Sequence, residues 1–134
     1  MLDLIKSISI EVSGYLAVMM LVLIIIVHGL VILKILPHTW INGGRSTSYE
    51  SQRKQSMLGI IVLTLTILIL LIASNIITVS IPSILSSIIN TILWIMVILL
   101  AISTVMQLFG TYFEKYVMSI IAFILLVCVL RIAL

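Results

Sequence analysis

Four apolar runs make up most of this chain, at about 12–36, 57–79, 83–108 and 111–132. Each is longer than the ~20 residues that a helix rising ~1.5 Å per residue needs to cross ~30 Å of hydrocarbon. A bilayer core offers no water to backbone N–H and C=O groups, so a spanning segment must satisfy them internally. The expected fold class is therefore all-α: a polytopic membrane protein, a four-transmembrane-helix antiparallel bundle forming a single transmembrane domain over 1–134.

Composition supports this. Only 8% of the residues are charged, 63% are hydrophobic, and the mean hydropathy is +1.47. A water-soluble domain carries roughly a quarter charged residues. The apolar residues are also continuous rather than periodic, as helices with lipid on most sides require. The excess of Ile over Leu points to an AT-rich, low-GC bacterial genome. Near the start, Asp3 and Glu11 interrupt the basic opening of a cleavable signal and no small-residue cleavage site follows, so the first span is expected to stay. Leu4, Ile5 and Ile8 could share one face of an interfacial turn before it.

Pro37 is expected to close the first span, and residues 37–47 have loop chemistry in Asn42-Gly43-Gly44. Thr47 and Glu50 have the spacing of a capping box, and Glu50 and Lys54 that of a favourable i, i+4 pair. One helix is thus expected from about 48 to 79, with its first two turns outside the hydrocarbon. Pro82 marks a tight turn into a third helix, and Gly110 separates the third from the fourth.

Charge placement predicts orientation. Lys34, Arg45, Arg53, Lys54 and Lys115 lie at one end of the spans, and Lys6 and Arg131 at the other. The excess of Lys and Arg puts the 37–56 loop in the cytoplasm and both termini outside, in a multi-pass protein of the cell membrane. Trp40, Tyr49, Phe109, Tyr112, Phe113 and Tyr116 gather at the loop end, as an interfacial belt would. The net charge of +3 is scattered, so anionic headgroups rather than nucleic acid are the expected partners.

Two sets of residues are candidates for function. The first lies within the spans. A tight turn at Pro82 would make the second and third helices antiparallel neighbours, with Asn75 facing Asn90 and Thr64 meeting Ala101 along a polar seam. His28 is the ionisable side chain deepest in the first span, and Thr64, Thr66, Ser103, Thr104 or Gln107 are its expected partners. The intramembrane set is therefore His28, Thr64, Asn75, Asn90 and Gln107. The second set is Asn42, Gly43, Gly44, Arg45, Arg53 and Lys54, where a loop open to positive φ precedes a capped helix start. It could hold an anion, a lipid headgroup or a partner protein. Glu11 and Arg131 are expected to pair at the terminal end.

No carboxylate pair, Ser/His/acid constellation or metal-ligand spacing marks an enzyme. Cys128 stands alone, which leaves neither an intramolecular disulfide nor a Cys-based metal site, and no cofactor is expected. The functional expectation is a non-enzymatic accessory, immunity or membrane-stress protein working through protein or lipid contacts. The alternative is a small homo-oligomeric transporter or channel with a polar path along the second and third helices.

Overall fold

The computed structural model describes residues 2–134, apart from the side chains of Leu2 and Leu4. The face expected of Leu4 with Ile5 and Ile8 therefore lies in part outside the described residues. Five α-helices follow one another: α1 (Leu2–Lys6), α2 (Ile10–Ile32), α3 (Tyr49–Ala73), α4 (Ser83–Leu108) and α5 (Ser119–Ala133). A π-helical turn, Glu114–Met118, leads directly into α5. α2, α3, α4 and the continuous Glu114–Ala133 segment are each long and apolar enough to cross a membrane. Among the described residues there is no strand.

α2 packs against α3 on one side and α5 on the other, and α5 packs against α4. The lateral order is thus α3–α2–α5–α4, and α3 meets α4 only at isolated points. This corrects the expected hairpin of the second and third spans. The reason is where α3 stops. It ends at Ala73 rather than near position 79, because Asn75 adopts φ 60° and its N–H turns back to Ile72 O at 3.1 Å. Asn tolerates the left-handed region better than most residues and often ends helices there. Residues 74–82 are then a connection rather than a tight turn. Residues 74–77 fold back in the turn that closes α3, and residues 78–82 then carry the chain on to α4 at the other flank of the bundle.

Small residues explain why α2 and α5 are central. Ser13, Gly14 and Ala17 are buried on α2, and Ser119, Ala122 and Cys128 on α5. In lipid, where apolar burial does not by itself drive association, such residues let backbones approach closely. Gly14 is the tightest case: a Cβ there would overlap Ser74 Oγ and stand 2.8 Å from Ile76 Cδ1. Leu21, Leu70, Leu93, Leu125 and Val129 complete the core from all four helices. The fourth span has the plainest sequence, yet it is the most buried of the four.

The ends differ from expectation in detail. α2 stops at Ile32, short of Pro37, in a Schellman arrangement: Lys34 has φ 60°, Lys34 N–H bonds Val31 O (3.0 Å) and Ile35 N–H bonds Leu30 O (2.9 Å). α3 is capped by Ser48, whose hydroxyl accepts Ser51 N–H at 3.2 Å, not by Thr47. Glu50 and Lys54 do pair, at 3.4 Å and exposed. Arg131 Nε donates to Ile8 O at 2.6 Å instead of pairing with Glu11. The carbonyl is reachable because α1 and the start of α2 lie beside the end of α5.

A polar loop end above a lateral groove

The loop between α2 and α3 is held down onto the fourth span. Asn42, Gly43 and Gly44 have φ of 56°, 68° and 67°, a run of left-handed residues that suits Asn and Gly. A Cβ on Gly44 would also come within 3.1 Å of Thr39 O. This turn aims Gly43 N–H at Glu114 Oε1, 2.8 Å away. Glu114 Oε2 accepts Thr111 N–H at 3.0 Å, and Thr111 Oγ1 accepts Glu114 N–H at 3.3 Å. That reciprocal pair is a capping box, with Thr111 at the cap and Glu114 three residues on. Thr111 Oγ1 also donates to Trp40 O at 2.6 Å, and Trp40 packs at a tilt against Phe113 with ring centroids 5.4 Å apart. Gly110 leaves room for the carboxylate, since a Cβ there would overlap Glu114 Oε2.

A second chain of hydrogen bonds runs from the loop into the bundle. Asn42 Nδ2 donates to Gln52 Oε1 (3.1 Å) and to Gln55 Oε1 (3.0 Å), and Ser46 Oγ donates to Gln52 Oε1 as well. Gln52, with no solvent exposure, passes Nε2–H to Ser56 Oγ at 3.0 Å. Ser56 Oγ lies 3.1 Å from His28 Nδ1. Ser56 thus accepts from Gln52, and its own proton has His28 Nδ1 as acceptor. With Nδ1 taking the Ser56 proton, the proton of a neutral His28 sits on Nε2; the reverse tautomer would make Ser56 accept twice. The partner of His28 is therefore Ser56, not the expected Thr64, Thr66, Ser103, Thr104 or Gln107. Ser56 lies within reach because α2 and α3 are the packed pair. His28 Nε2 lies next to Gly59, where a Cβ would stand 3.6 Å away.

Because α3 and α4 stand apart, a groove of about 590 Å³ opens between them, with α2 and α5 as its floor. Its lower walls are apolar, including Leu21, Val62, Leu63, Met96, Leu100 and Leu125. At the loop end it meets His28, Gln55, Ser103, Gln107 and Glu114. There it joins a polar vestibule of about 580 Å³, to which Arg45 and Ser46 also contribute. Gln107 Nε2 donates to Ser103 Oγ at 3.2 Å, while Gln107 Oε1 is buried without a partner.

The structure divides the candidate residues. Asn42, Gly43, Arg45, His28 and Gln107 converge on the groove and its vestibule. Gly44 shapes the same loop, whereas Arg53 and Lys54 are exposed. Thr64, Asn75 and Asn90 are exposed and do not meet one another, so the polar seam is not formed. Thr64 instead donates to its own Ile60 O at 2.8 Å, as Thr66, Ser87, Thr91 and Thr104 do to their own i−4 carbonyls. A hydroxyl satisfied within its helix needs no partner helix. Glu114, Gln52 and Ser56 are the polar residues that the sequence reading missed. The Thr111-x-x-Glu114 capping signature was the available signal for the first of these. Among the described residues no three His, Cys, Asp or Glu side chains converge as a metal site would require.

No family model matches the chain, and comparison with curated proteins and with solved structures finds no significant match.

Proposed function

We propose that this chain is a non-enzymatic multi-pass protein of the cell membrane that acts by taking a single lipid into the groove between α3 and α4. In this reading it is an accessory or membrane-stress protein working through lipid contact. The observation that carries it is the groove itself, apolar along most of its length, with its polar lining gathered at the loop end apart from Thr66, whose hydroxyl is bonded within its own helix. An amphiphile has that same division. The excess of Lys and Arg at the loop end supports a cytoplasmic vestibule with both termini outside.

Native mass spectrometry of the detergent-purified chain tests this. The wild type should keep one phospholipid, and Thr66→Trp and Leu100→Trp, which fill the groove, should lose it. A folded wild type without bound lipid would sink the reading.

Asn90 favours a second reading, assembly of several copies into a carrier or channel. It lies about two turns into α4, exposed and without a hydrogen bond among the described residues. An unpaired amide in lipid is costly and can be satisfied across helices. Under this reading Asn90→Leu should reduce the oligomer to monomers, and liposomes carrying the wild type should show flux.

A further inference from the structure

The inference drawn here rests on the lipid reading above and concerns the headgroup. We infer that the vestibule selects a phospholipid whose headgroup carries a primary ammonium, the ethanolamine class. Its ammonium lies between Glu114 and Gln107, and its phosphate lies at Arg45.

Glu114 is 7% exposed, and the single ion pair among the described residues joins Lys54 to Glu50. The carboxylate is thus buried with no cation against it, although it lines both the groove and the vestibule. A buried charge of this kind is costly until paired. Its bonds to Gly43 and Thr111 N–H leave lone pairs free, since a carboxylate offers about four acceptor sites.

Gln107 adds a second, independent requirement. Its amide nitrogen is used by Ser103, and its buried carbonyl oxygen has no donor. Glu114 and Gln107 both line the vestibule; the Gln107 oxygen has almost no accessible surface, so a donor meets it once the amide turns into that space, and the negative charge beside it calls for a cation. An ammonium with N–H groups supplies both. Arg45, exposed on the wall of the same vestibule and without an ion pair among the described residues, suits a phosphate. One charge of each sign in one cavity fits a zwitterion.

The same chemistry disfavours the other common headgroups. A quaternary ammonium carries charge but cannot donate to Gln107. A phosphoglycerol headgroup has hydroxyl donors, but it brings net negative charge towards Glu114.

The test is a competition read by native mass spectrometry. The purified full chain is exposed to equimolar dioleoyl phosphatidylethanolamine, phosphatidylcholine and phosphatidylglycerol. The wild type should retain the ethanolamine lipid about tenfold over each of the others, the worth of one hydrogen bond to a charged group. Gln107→Leu, which touches no loop anchor, should bring ethanolamine and choline lipids close to parity, as should Glu114→Gln. Arg45→Ala should weaken all three lipids and keep the ethanolamine-over-choline preference. Equal retention of the three lipids by the wild type would overturn the headgroup assignment while leaving the groove reading in place. So would an undiminished preference in Gln107→Leu. A folded chain that retains no lipid, or that retains a polypeptide in its place, would overturn both.

Discussion

The carboxylate of Glu114 accepts the backbone N–H of Gly43 at 2.8 Å, tying together positions 71 residues apart. This bond fixes the loop between α2 and α3 onto the start of the fourth span and forms one wall of the vestibule. Glu114→Ala would leave Gly43 and Thr111 N–H without their acceptor, a loss on the order of 2–3 kcal/mol. Glu114→Gln keeps one carbonyl oxygen and should lose about half as much. Thermal unfolding should follow that order, and tryptic cleavage after Arg45 should speed up in the Ala variant. Unchanged cleavage would mean that the bond does not restrain the loop.

Gly14 and Gly29 are both helical glycines of α2, and they should respond oppositely to alanine. A Cβ at Gly14 overlaps Ser74, the residue that ends α3, whereas at Gly29 it meets nothing within 4 Å. Forcing α2 and α3 apart at Gly14 should cost about 1–3 kcal/mol. Gly29→Ala should be neutral or stabilise by up to ~1 kcal/mol through helix propensity. Denaturation in mild detergent would compare them, and equal midpoints would contradict this packing.

His28 is expected to be the Nε2–H tautomer in the neutral protein, because Ser56 accepts from Gln52 and Nδ1 stands 3.1 Å away as an acceptor for its own proton. Imidazole ¹⁵N shifts of the selectively labelled protein would report it directly. Ser56→Ala should remove the bias, and Gln52→Leu should destabilise by about 2–3 kcal/mol by taking the acceptor from Ser46 and one partner each from Asn42 and Ser56. A wild type with the proton on Nδ1 would reverse the assigned direction of the chain.

Lys34 holds φ 60° at the end of α2, where glycine is free of strain. A left-handed residue with a Cβ costs ~1–2 kcal/mol, against which the Lys34 ammonium over the Tyr49 ring contributes ~0.5 kcal/mol. That ammonium lies 5.8 Å from the ring centroid. Lys34→Gly should therefore raise the unfolding temperature, by a net gain of roughly 0.5–1.5 kcal/mol. A lower midpoint would show that the ring contact outweighs the strain.

Local chemistry read along the chain settled the number of spans, their approximate limits and their helical form. Continuous apolar runs longer than the bilayer permit little else. It also picked out Asn42-Gly43-Gly44 as a turn, the pairing of Glu50 with Lys54, and His28 as a half-buried polar group in need of a partner. These depend on residues close in sequence or on a single residue's solvation.

Which helices touch was decided only in three dimensions. Asn75 serves as well for a helix end as for an interhelical bond, and its left-handed backbone ended α3 early, leaving residues 74–82 as the connection to α4 at the other flank. Thr64 and its neighbours could have bonded a partner helix, but each had a carbonyl one turn away. Glu114 reads as an interfacial carboxylate until the loop 71 residues earlier in sequence folds over it. In lipid every face of these helices is similarly apolar, so pattern cannot choose neighbours. Small residues at Gly14, Ala17 and Ala122 choose them by how closely two backbones can approach, and the groove is the space left where they do not.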